Sequence, residues 1–267
     1  MHCAVNESLP ISVTIVTLNE EVNLRRCLAS LEGLVQEIVV VDSGSTDATL
    51  AIAATAGARI FHHAWQGFRD QKQFALQHCE HSWVLSLDAD EELSPALREE
   101  LRRFFADGSA QRYAGASFPR KVHFMGRWIR HGDWYPDRKL RLAQRERTHY
   151  EGSSAHDKMV LEEGLQALAM KGDLHHYSFK NSNHYISKIN LFADGHLRDQ
   201  VEAGRSWSLL ATLTRPLWRF FRAYVLRRGF LDGFPGLWIA VSTAYQTFIR
   251  YSRLYEWQQQ SRSADHQ

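Results

Sequence analysis

The chain has 267 residues, of which 44% are hydrophobic and 23% charged, with a formal net charge of +2 at pH 7. This length allows one large domain, or one domain with an appendage, and the composition is ordinary for a globular protein. The near-neutral charge excludes bulk attraction to nucleic acid, and three irregularly spaced cysteines without a C-x-x-C motif argue against disulfides and structural zinc.

Strand and helix patterns alternate through the first hundred residues. Continuous apolar runs rich in β-branched residues predict buried strands at residues 11–18, 37–41, 58–62 and 83–87. Apolar residues at helical spacing predict helices at residues 22–34, 48–56, 68–81 and 96–105. Such alternation is typical of an α/β fold, with a mostly parallel central sheet flanked by helices.

The alternation stops after about residue 110. Short strands are predicted at residues 114–119, 139–142 and 172–175. From about residue 183 the pattern is helical to the end, and glycines and a proline between residues 229 and 236 predict a break before a last helix at 237–257. We therefore predict a main domain over residues 8–195 and a C-terminal amphipathic helical region over residues 196–267.

The fourth predicted strand ends in an acidic cluster that contains the D-x-D motif of Asp88 and Asp90. Open α/β folds bind ligands at the carboxyl ends of their strands. Two aspartates one residue apart suit a hard divalent cation, which takes oxygen ligands and also holds substrate phosphates. The alternative is an acidic first turn of the next helix, favoured by the helix dipole.

The first two predicted strands also end in polar turns. This arrangement places Thr17, Asn19, Glu20 and Asp42 on the same rim as the acidic pair, where carboxylates can accept from a base N–H or a ribose hydroxyl. Helix capping is the alternative role for Asp42. The chain contains neither G-x-G-x-x-G nor a P-loop motif, so phosphate binding is expected to need the metal.

Several stretches, taken in order, resemble one enzyme family. They are T-L-N-E-E, V-V-D-S-G-S-T-D, L-D-A-D-E, G-R-W-I-R-H-G-D-W-Y-P-D-R-K-L-R-L, L-H-H-Y-S and F-L-D-G-F-P-G-L. This set resembles the family 2 inverting glycosyltransferases of the GT-A fold, in the branch of the lipopolysaccharide core β-1,4-glucosyltransferase. The resemblance spans nearly the whole chain. It implies transfer of a hexose, expected to be glucose from UDP-glucose, to a lipopolysaccharide inner-core acceptor.

The resemblance also implies roles for individual residues. It assigns the UDP-sugar site to Thr17, Asn19, Glu20, Asp42, Lys72 and Asp88. It assigns a site for Mg²⁺ or Mn²⁺ to Asp90, Asp88 and His176. A solvated helix face is the alternative for Lys72, and a histidine bonded to backbone is the alternative for His176.

An inverting transferase needs a carboxylate that takes the proton of the acceptor hydroxyl. The resemblance favours Asp157 as this base, at the head of a helix, although relatives more often carry Glu there. Asp133 and Asp137 are the alternatives.

A loop at residues 120–138 is crowded with aromatic and basic side chains. Aromatic faces can stack on sugar rings, and arginine binds phosphate or carboxylate bidentately. We predict a site for a phosphorylated, lipid-linked saccharide acceptor formed by Arg127, Trp128, Arg130, Trp134, Tyr135 and Arg138. The alternative is an aromatic core with arginines on its surface.

Residues 205–231 contain six arginines, six large aromatic residues and no acid. A basic helix with aromatic residues on its other face can lie in a bilayer interface. A helical hairpin that packs on the main domain, or forms a dimer, is the alternative.

No basic region precedes the first apolar run and no run approaches about 20 residues, so we expect no signal peptide and no spanning helix. We therefore expect a cytoplasmic protein, peripheral on the inner face of the cytoplasmic membrane, that acts on no nucleic acid. Two alternative functions stay open. The protein is a glycosyltransferase for another cell-surface polysaccharide, lipid-linked or peptide acceptor, or it is a catalytically inactive nucleotide-sugar binder.

Overall fold

The structure is a computed structural model that describes residues 8–153 and 156–264. Its strands there are β1 (Leu9–Thr17), β2 (Val35–Asp42), β3 (Arg59–His62), β4 (Trp83–Asp88), β5 (Glu91–Leu93), β6 (Gly115–Phe124), β7 (Arg127–Trp128), β8 (Asp137–Gln144), β9 (Thr148–Ser153), β10 (His156–Leu161), β11 (Ala167–Ala169) and β12 (Leu174–His176). Its α-helices there are α1 (Glu21–Ala29), α2 (Thr49–Thr55), α3 (Phe68–Gln77), α4 (Pro95–Ala106), α5 (Ser109–Arg112), α6 (Ser182–Glu202), α7 (Leu209–Phe221) and α8 (Gly233–Ala264).

The chain divides into two compact units. Unit 1 comprises the chain up to Arg120 together with Arg138–Tyr177, and unit 2 comprises Lys121–Asp137 together with the chain from Ser178 onward. The predicted boundary between residues 195 and 196 falls inside α6. Residues 121–137 of the aromatic and basic loop group with the C-terminal helices, whereas Arg120 and Arg138 at its ends belong to unit 1.

The main sheet has a parallel centre. Its order is β3-β2-β1-β4-β8-β6-β12-β5, and β7 and β11 pair with β6. The strands β3, β2, β1 and β4 are mutually parallel, whereas β8 joins β4 antiparallel, and β9 and β10 form a separate antiparallel sheet. This confirms the predicted GT-A class, an α/β fold with a parallel central sheet and a C-terminal helical appendage.

The predicted strands of the first half all form, with ends that differ by a few residues. The helix predicted over residues 68–81 ends earlier, at Gln77, and the strand predicted over 114–119 continues to Phe124. The last helix begins at Gly233 and ends at Ala264, beyond both predicted ends. The short strands β5, β7, β9, β10 and β11 were not predicted, because such segments carry too little periodicity to be recognised.

The core of unit 1 surrounds β1. Ile11, Val13 and Ile15 have no exposed surface, and the intervening Ser12 and Thr14 are buried as well. Burial on both faces explains why this strand is a continuous β-branched run rather than an alternating one. Each large apolar side chain buried in this way contributes about 1.5–3 kcal/mol. The thiols of Cys27 and Cys79 are buried and free, and Cys3 lies outside the described residues.

Unit 2 has its own small core. Val122, Phe124 and Ile129, from the aromatic and basic loop, pack with Ile239 of α8. The carboxylate of Asp232, which is 1% exposed, accepts hydrogen bonds from the backbone N–H groups of residues 130 and 131 at 3.0 and 2.8 Å. The G-R-W-I-R-H-G-D-W and F-L-D-G-F-P-G stretches therefore meet as one structural element. Within the described residues, no helix has both the length and the apolar character needed to cross a bilayer.

Gly236 in the first turn of α8 permits a close approach of two backbone segments. A Cβ at this position would overlap the carbonyl oxygen of Gly229. We expect Gly236→Ala to lower the free energy of unfolding of unit 2 by about 3 kcal/mol or more, since the overlap is with backbone that cannot move aside cheaply. Gly204→Ala is the matched control, because Gly204 has a positive φ but nothing within 4 Å of an added Cβ, and should cost only about 1–2 kcal/mol. Chemical denaturation measures both, and equal losses would contradict the steric argument.

Candidate active site

Strand register brings the first carboxylates together. Thr17 at the end of β1 pairs with Asp42 at the end of β2, and Val16 pairs with Asp88 at the end of β4. The predicted common rim at the carboxyl ends of β1, β2 and β4 is thus confirmed. It follows from parallel pairing, which aligns the ends of neighbouring strands.

Asp42 orders the turn that follows β2. Its carboxylate accepts hydrogen bonds from the backbone N–H groups of Gly44 and Ser45, both at 2.8 Å, and from the hydroxyl groups of Thr17 and Ser45. Burial raises the pKa of Asp42, but these hydrogen bonds outweigh burial and leave the pKa below its ordinary value. Since a carboxylate has about four acceptor positions, the contacts of Asp42 are already complete within the turn. Its contact with a nucleotide stays a prediction.

Asn19 and Glu20 join this turn to the end of β1. Asn19 has a φ of 55°, a conformation that asparagine adopts more readily than most residues, and its side-chain oxygen accepts from the backbone N–H of Thr46 at 2.8 Å. The backbone N–H of Glu20 donates to the Thr49 hydroxyl at 2.8 Å. Both residues lie on the predicted rim, and these contacts fix the backbone there.

Asp88 is held by two cations. One carboxylate oxygen lies 2.7 Å from the Lys72 ammonium and the other 2.7 Å from the Arg141 guanidinium. Burial raises the pKa of Asp88, but the charges of Arg141 and Lys72 outweigh it and hold the pKa well below its ordinary value. Both oxygens of the Asp88 carboxylate therefore have cationic protein partners that favour its ionised form.

Lys72 links Asp88 to a second carboxylate. Its ammonium lies 3.0 Å from an oxygen of Asp157, and the residue as a whole is 4% exposed. Burial lowers the pKa of Lys72, but the charges of Asp88 and Asp157 outweigh this and raise it above the ordinary value. The solvated helix face considered for Lys72 is excluded by this burial.

Asp157 lies on a strand, not at the head of a helix. It belongs to β10, where it pairs with Gly152 of β9, and its side chain is 13% exposed. The helix that the resemblance implied here is wrong, because residues 156–161 pair with residues 148–153 in an antiparallel two-stranded sheet. Residues 154 and 155, which separate β9 from β10 in the sequence, lie outside the described residues. The contact with Lys72 nevertheless brings Asp157 to the same cluster as Asp88.

Asp90 pairs with His176 through strand geometry. Antiparallel pairing sets His176 of β12 opposite Glu91 of β5, and the His176 Nε2 atom lies 3.3 Å from the Asp90 carboxylate. Burial raises the pKa of Asp90, but the imidazole of His176 outweighs it and leaves the pKa lowered.

A carboxylate oxygen and an imidazole nitrogen are both atoms that can coordinate a divalent cation. Within the described ranges, no group of three or more acidic, histidine or cysteine side chains has metal-binding geometry. The predicted three-residue metal set is therefore not assembled, because both oxygens of Asp88 face cations.

Arg141 is a residue of this site that sequence analysis missed. It lies in β8, and its guanidinium bonds Glu91 at 2.6 Å as well as Asp88. Glu91 has a fully buried side chain, and it also accepts from the backbone N–H of Asp88 at 3.0 Å. A signal was present, since Arg141 is a charge between two leucines of a predicted strand, and a buried charge requires a partner.

We expect Arg141→Met to lower the free energy of unfolding by about 3–5 kcal/mol, because it leaves the buried Glu91 carboxylate without its main partner. The double variant Arg141→Met with Glu91→Gln should recover part of this loss, since the uncompensated charge is removed. Urea denaturation of the two variants and of Glu91→Gln completes the cycle. Additive losses would show that the Arg141–Glu91 pair makes no coupled contribution.

The alternative bases lie in unit 2. Asp133 contacts the guanidinium groups of Arg222, Arg227 and Arg219 at 2.9, 3.2 and 3.4 Å, and its side chain is 6% exposed. Three neutralising arginines favour a structural role for this carboxylate over that of a base. Asp137 is the first residue of β8.

The predicted acceptor residues are divided between the two units. Trp134 packs edge-on or tilted against Phe124, Phe179 and Tyr185 in the core of unit 2, which matches the alternative of an aromatic core. Trp128 packs on His123, and the guanidinium of Arg127 lies 3.7 Å from Asp232. The other predicted residues of unit 2 are Arg130, which is exposed, and Tyr135, whose ring lies 5.9 Å from the Lys121 ammonium.

Arg138 belongs to unit 1. Its guanidinium donates to the carbonyl oxygens of Met170 and Ser117 at 2.7 and 3.2 Å. These bonds join β8 to β6 and to the residue that follows β11, so Arg138 has a structural function whether or not it also contacts an acceptor.

Comparison with known proteins gives consistent relatives. The glycosyl transferase family 2 model matches residues 12–166. The chain is 30% identical over 260 residues to an uncharacterized glycosyltransferase of Rickettsia typhi, which covers 95% of this chain and 89% of that protein. It is 32% identical over 253 residues to the lipopolysaccharide core biosynthesis glycosyltransferase LpsC of Rhizobium meliloti, with 93% of each covered. Among solved structures, S. aureus TarS 1–349 in complex with UDP-GlcNAc matches 90% of this chain and 82% of that one, at 15% identity and a TM-score of 0.46.

Proposed function

The chain belongs to glycosyl transferase family 2, and from this membership we propose that it is an inverting, metal-dependent hexosyltransferase. Its proposed donor is UDP-glucose. Its proposed acceptor is the inner core of lipopolysaccharide at the cytoplasmic face of the membrane. The name of the relative LpsC, which assigns that protein to lipopolysaccharide core biosynthesis, supports this acceptor.

One observation carries the proposal. The Lys72 ammonium lies within 3.0 Å of both Asp88 and Asp157, at the rim where parallel strands end. Partly buried carboxylates that share a buried lysine at this edge of an α/β sheet are typical of a functional site rather than of a helix start. The acidic first turn considered for the D-x-D motif would need no such partners.

The Asp90–His176 pair is the proposed site for Mg²⁺ or Mn²⁺. A bound cation supplies Lewis-acid stabilisation of the diphosphate leaving group. Asp88 lies close enough for its charge to act on Asp90, and its own two oxygens are held by Lys72 and Arg141.

Asp157 is the proposed general base. It takes the proton of the acceptor hydroxyl while the hydroxyl oxygen bonds to the anomeric carbon and the bond from that carbon to UDP breaks, which inverts the configuration. Lys72 holds the carboxylate in one position through their ion pair. A base held in position lowers the entropy cost of reaching the reactive geometry. Such positioning supplies a large part of the rate enhancement of enzymes.

UDP release and product analysis test the proposal. Purified protein with Mn²⁺ is incubated with a panel of nucleotide sugars, with and without inner-core lipopolysaccharide that lacks the added hexose. We expect release of UDP from UDP-glucose that depends on the acceptor, and a β-linked glucose in the product by NMR. Binding of UDP-glucose without turnover on any acceptor would instead identify an inactive nucleotide-sugar binder. Turnover with a different sugar or acceptor would refute the assigned substrates while leaving the family membership intact.

A further inference from the structure

Helix α7 exposes its apolar side. Leu210, Leu213, Leu217 and Phe221 follow one another at intervals of three and four residues, so they lie on one face of the helix. These side chains are 72%, 55%, 72% and 44% exposed, whereas Thr212 on the other side is buried. An amphipathic helix of a globular domain normally turns its apolar stripe towards the core. In α7 the orientation is the reverse.

The exposed apolar surface continues beyond the helix. The other large apolar side chains of this segment that are more than a third exposed are Leu209, Trp218, Val225, Leu226, Phe230, Leu231 and Phe234. Proteins that remain monomeric in water rarely present apolar patches of this extent without a partner. We call the exposed apolar residues between 209 and 234 the α7 surface.

The exposed charged residues of the segment that carries the α7 surface are all arginines. Asp232 is the only acid between residues 203 and 255, and it is buried against the backbone of the loop at residues 130–131. Arg215 and Arg228 are exposed in the same segment, as is Arg227, which pairs with the Asp133 carboxylate at 3.2 Å. The surface therefore combines apolar contact with positive charge, and its own sequence offers no exposed carboxylate to neutralise that charge.

This charge pattern distinguishes between possible occupants. A second copy bound through the same surface would set arginines against arginines across a two-fold axis, with no carboxylate of this segment between them. An anionic bilayer instead provides an acyl layer for the leucines and phenylalanines and phosphate groups for the arginines.

We propose that α7 and the turn after it lie in the interface of an anionic lipid bilayer, with the α7 surface facing the acyl chains and the exposed arginines at the headgroups. The inference rests on the proposed function only for the expectation that the acceptor is in a membrane. It requires no step of the transfer reaction.

Flotation of the full chain with lipid vesicles tests the inference. We expect the protein to float with an equal mixture of phosphatidylglycerol and phosphatidylcholine, and to bind pure phosphatidylcholine much more weakly. Leu213→Glu with Leu217→Glu should weaken binding to the mixed vesicles by about 100-fold or more, since two large apolar side chains lose their burial. Leu50→Glu is the matched control, because Leu50 of α2 is 38% exposed but lies outside the α7 surface, and it should bind like the unmodified chain.

A second pair of variants tests the electrostatic part. Arg215→Gln with Arg228→Gln should weaken binding by about fivefold for each arginine removed, and only with the anionic vesicles. Circular dichroism checks that every variant folds. Unchanged flotation of the leucine variant, or absence of flotation of the unmodified chain, would overturn the inference.

Sedimentation without lipid and turnover separate the remaining outcomes. A dimer of the unmodified chain that the leucine variant converts to monomer, with no vesicle binding, would assign the α7 surface to a second copy and refute the proposal. Lipid binding without turnover on any acceptor would refute the proposed function alone. Turnover on a water-soluble acceptor by the leucine variant, without lipid binding, would support both.

Discussion

Asp157→Asn is expected to lower kcat by about 10²–10⁴-fold, the contribution of a positioned general base. The amide keeps the size of the side chain but cannot take the proton of the acceptor hydroxyl. Since Asp157 contacts Lys72 at 3.0 Å, the variant also loses one ion pair, and donor affinity must be measured separately. We expect the dissociation constant for UDP to change far less than kcat.

The alternative bases supply the controls for this prediction. Asp133→Asn and Asp137→Asn should retain most of the activity. Any loss of activity with Asp133→Asn should result from lower stability of the fold around the three arginines that contact Asp133. Asp157→Glu should recover part of the rate, because it restores a carboxylate. If Asp137→Asn abolishes turnover while Asp157→Asn does not, Asp137 is the base.

Asp90→Asn is expected to reduce kcat/KM by about 10³-fold, since several kcal/mol of transition-state stabilisation depend on the metal. The pairing of Asp90 with His176 at 3.3 Å is the basis for choosing this residue over Asp88. His176→Ala should produce a smaller loss in the same direction. Excess Mn²⁺ should partly restore the activity of both variants, because weaker metal binding is the cause.

Glu92→Gln is the matched control for Asp90→Asn. Glu92 belongs to the same acidic cluster, but its carboxylate accepts from the Tyr177 hydroxyl at 3.1 Å. We expect it to change kcat/KM by less than about threefold. An equal loss for Glu92→Gln and Asp90→Asn would indicate that general negative charge, and not a metal ligand, matters at this rim.

The buried strands and their common rim could be predicted from the sequence. β1, β2 and β4 are short apolar runs that end in polar residues, and parallel pairing then aligns the ends of neighbouring strands. The juxtaposition of Thr17, Asp42 and Asp88 follows from these two facts alone.

The ion pairs of the site could not be predicted in the same way. Lys72 is buried because β9 and β10 pack against α3. No local sequence pattern predicts that contact. Asp157 reaches the cluster through the same two strands. Contacts between segments far apart in sequence depend on tertiary packing, which periodicity does not encode.

The organisation of unit 2 shows the same limit. The loop at residues 120–138 is predicted to be a binding surface because it is crowded with aromatic and basic residues. In the structure, Phe124 and Trp134 of this loop instead form the core of unit 2 with Trp238 of α8. An aromatic residue suits a core or a sugar site equally well by composition. Only its neighbours decide between the two.

Calorimetric titration of UDP with and without Mn²⁺ tests the central proposal most directly, namely that the carboxylate rim binds the nucleotide diphosphate through a cation on Asp90. We predict that UDP binds the unmodified chain at least about 30-fold more tightly with Mn²⁺ than with EDTA, and that Asp90→Asn removes most of this difference. Equal affinity for UDP in Mn²⁺ and in EDTA, or a metal effect that Asp90→Asn leaves intact, would contradict it.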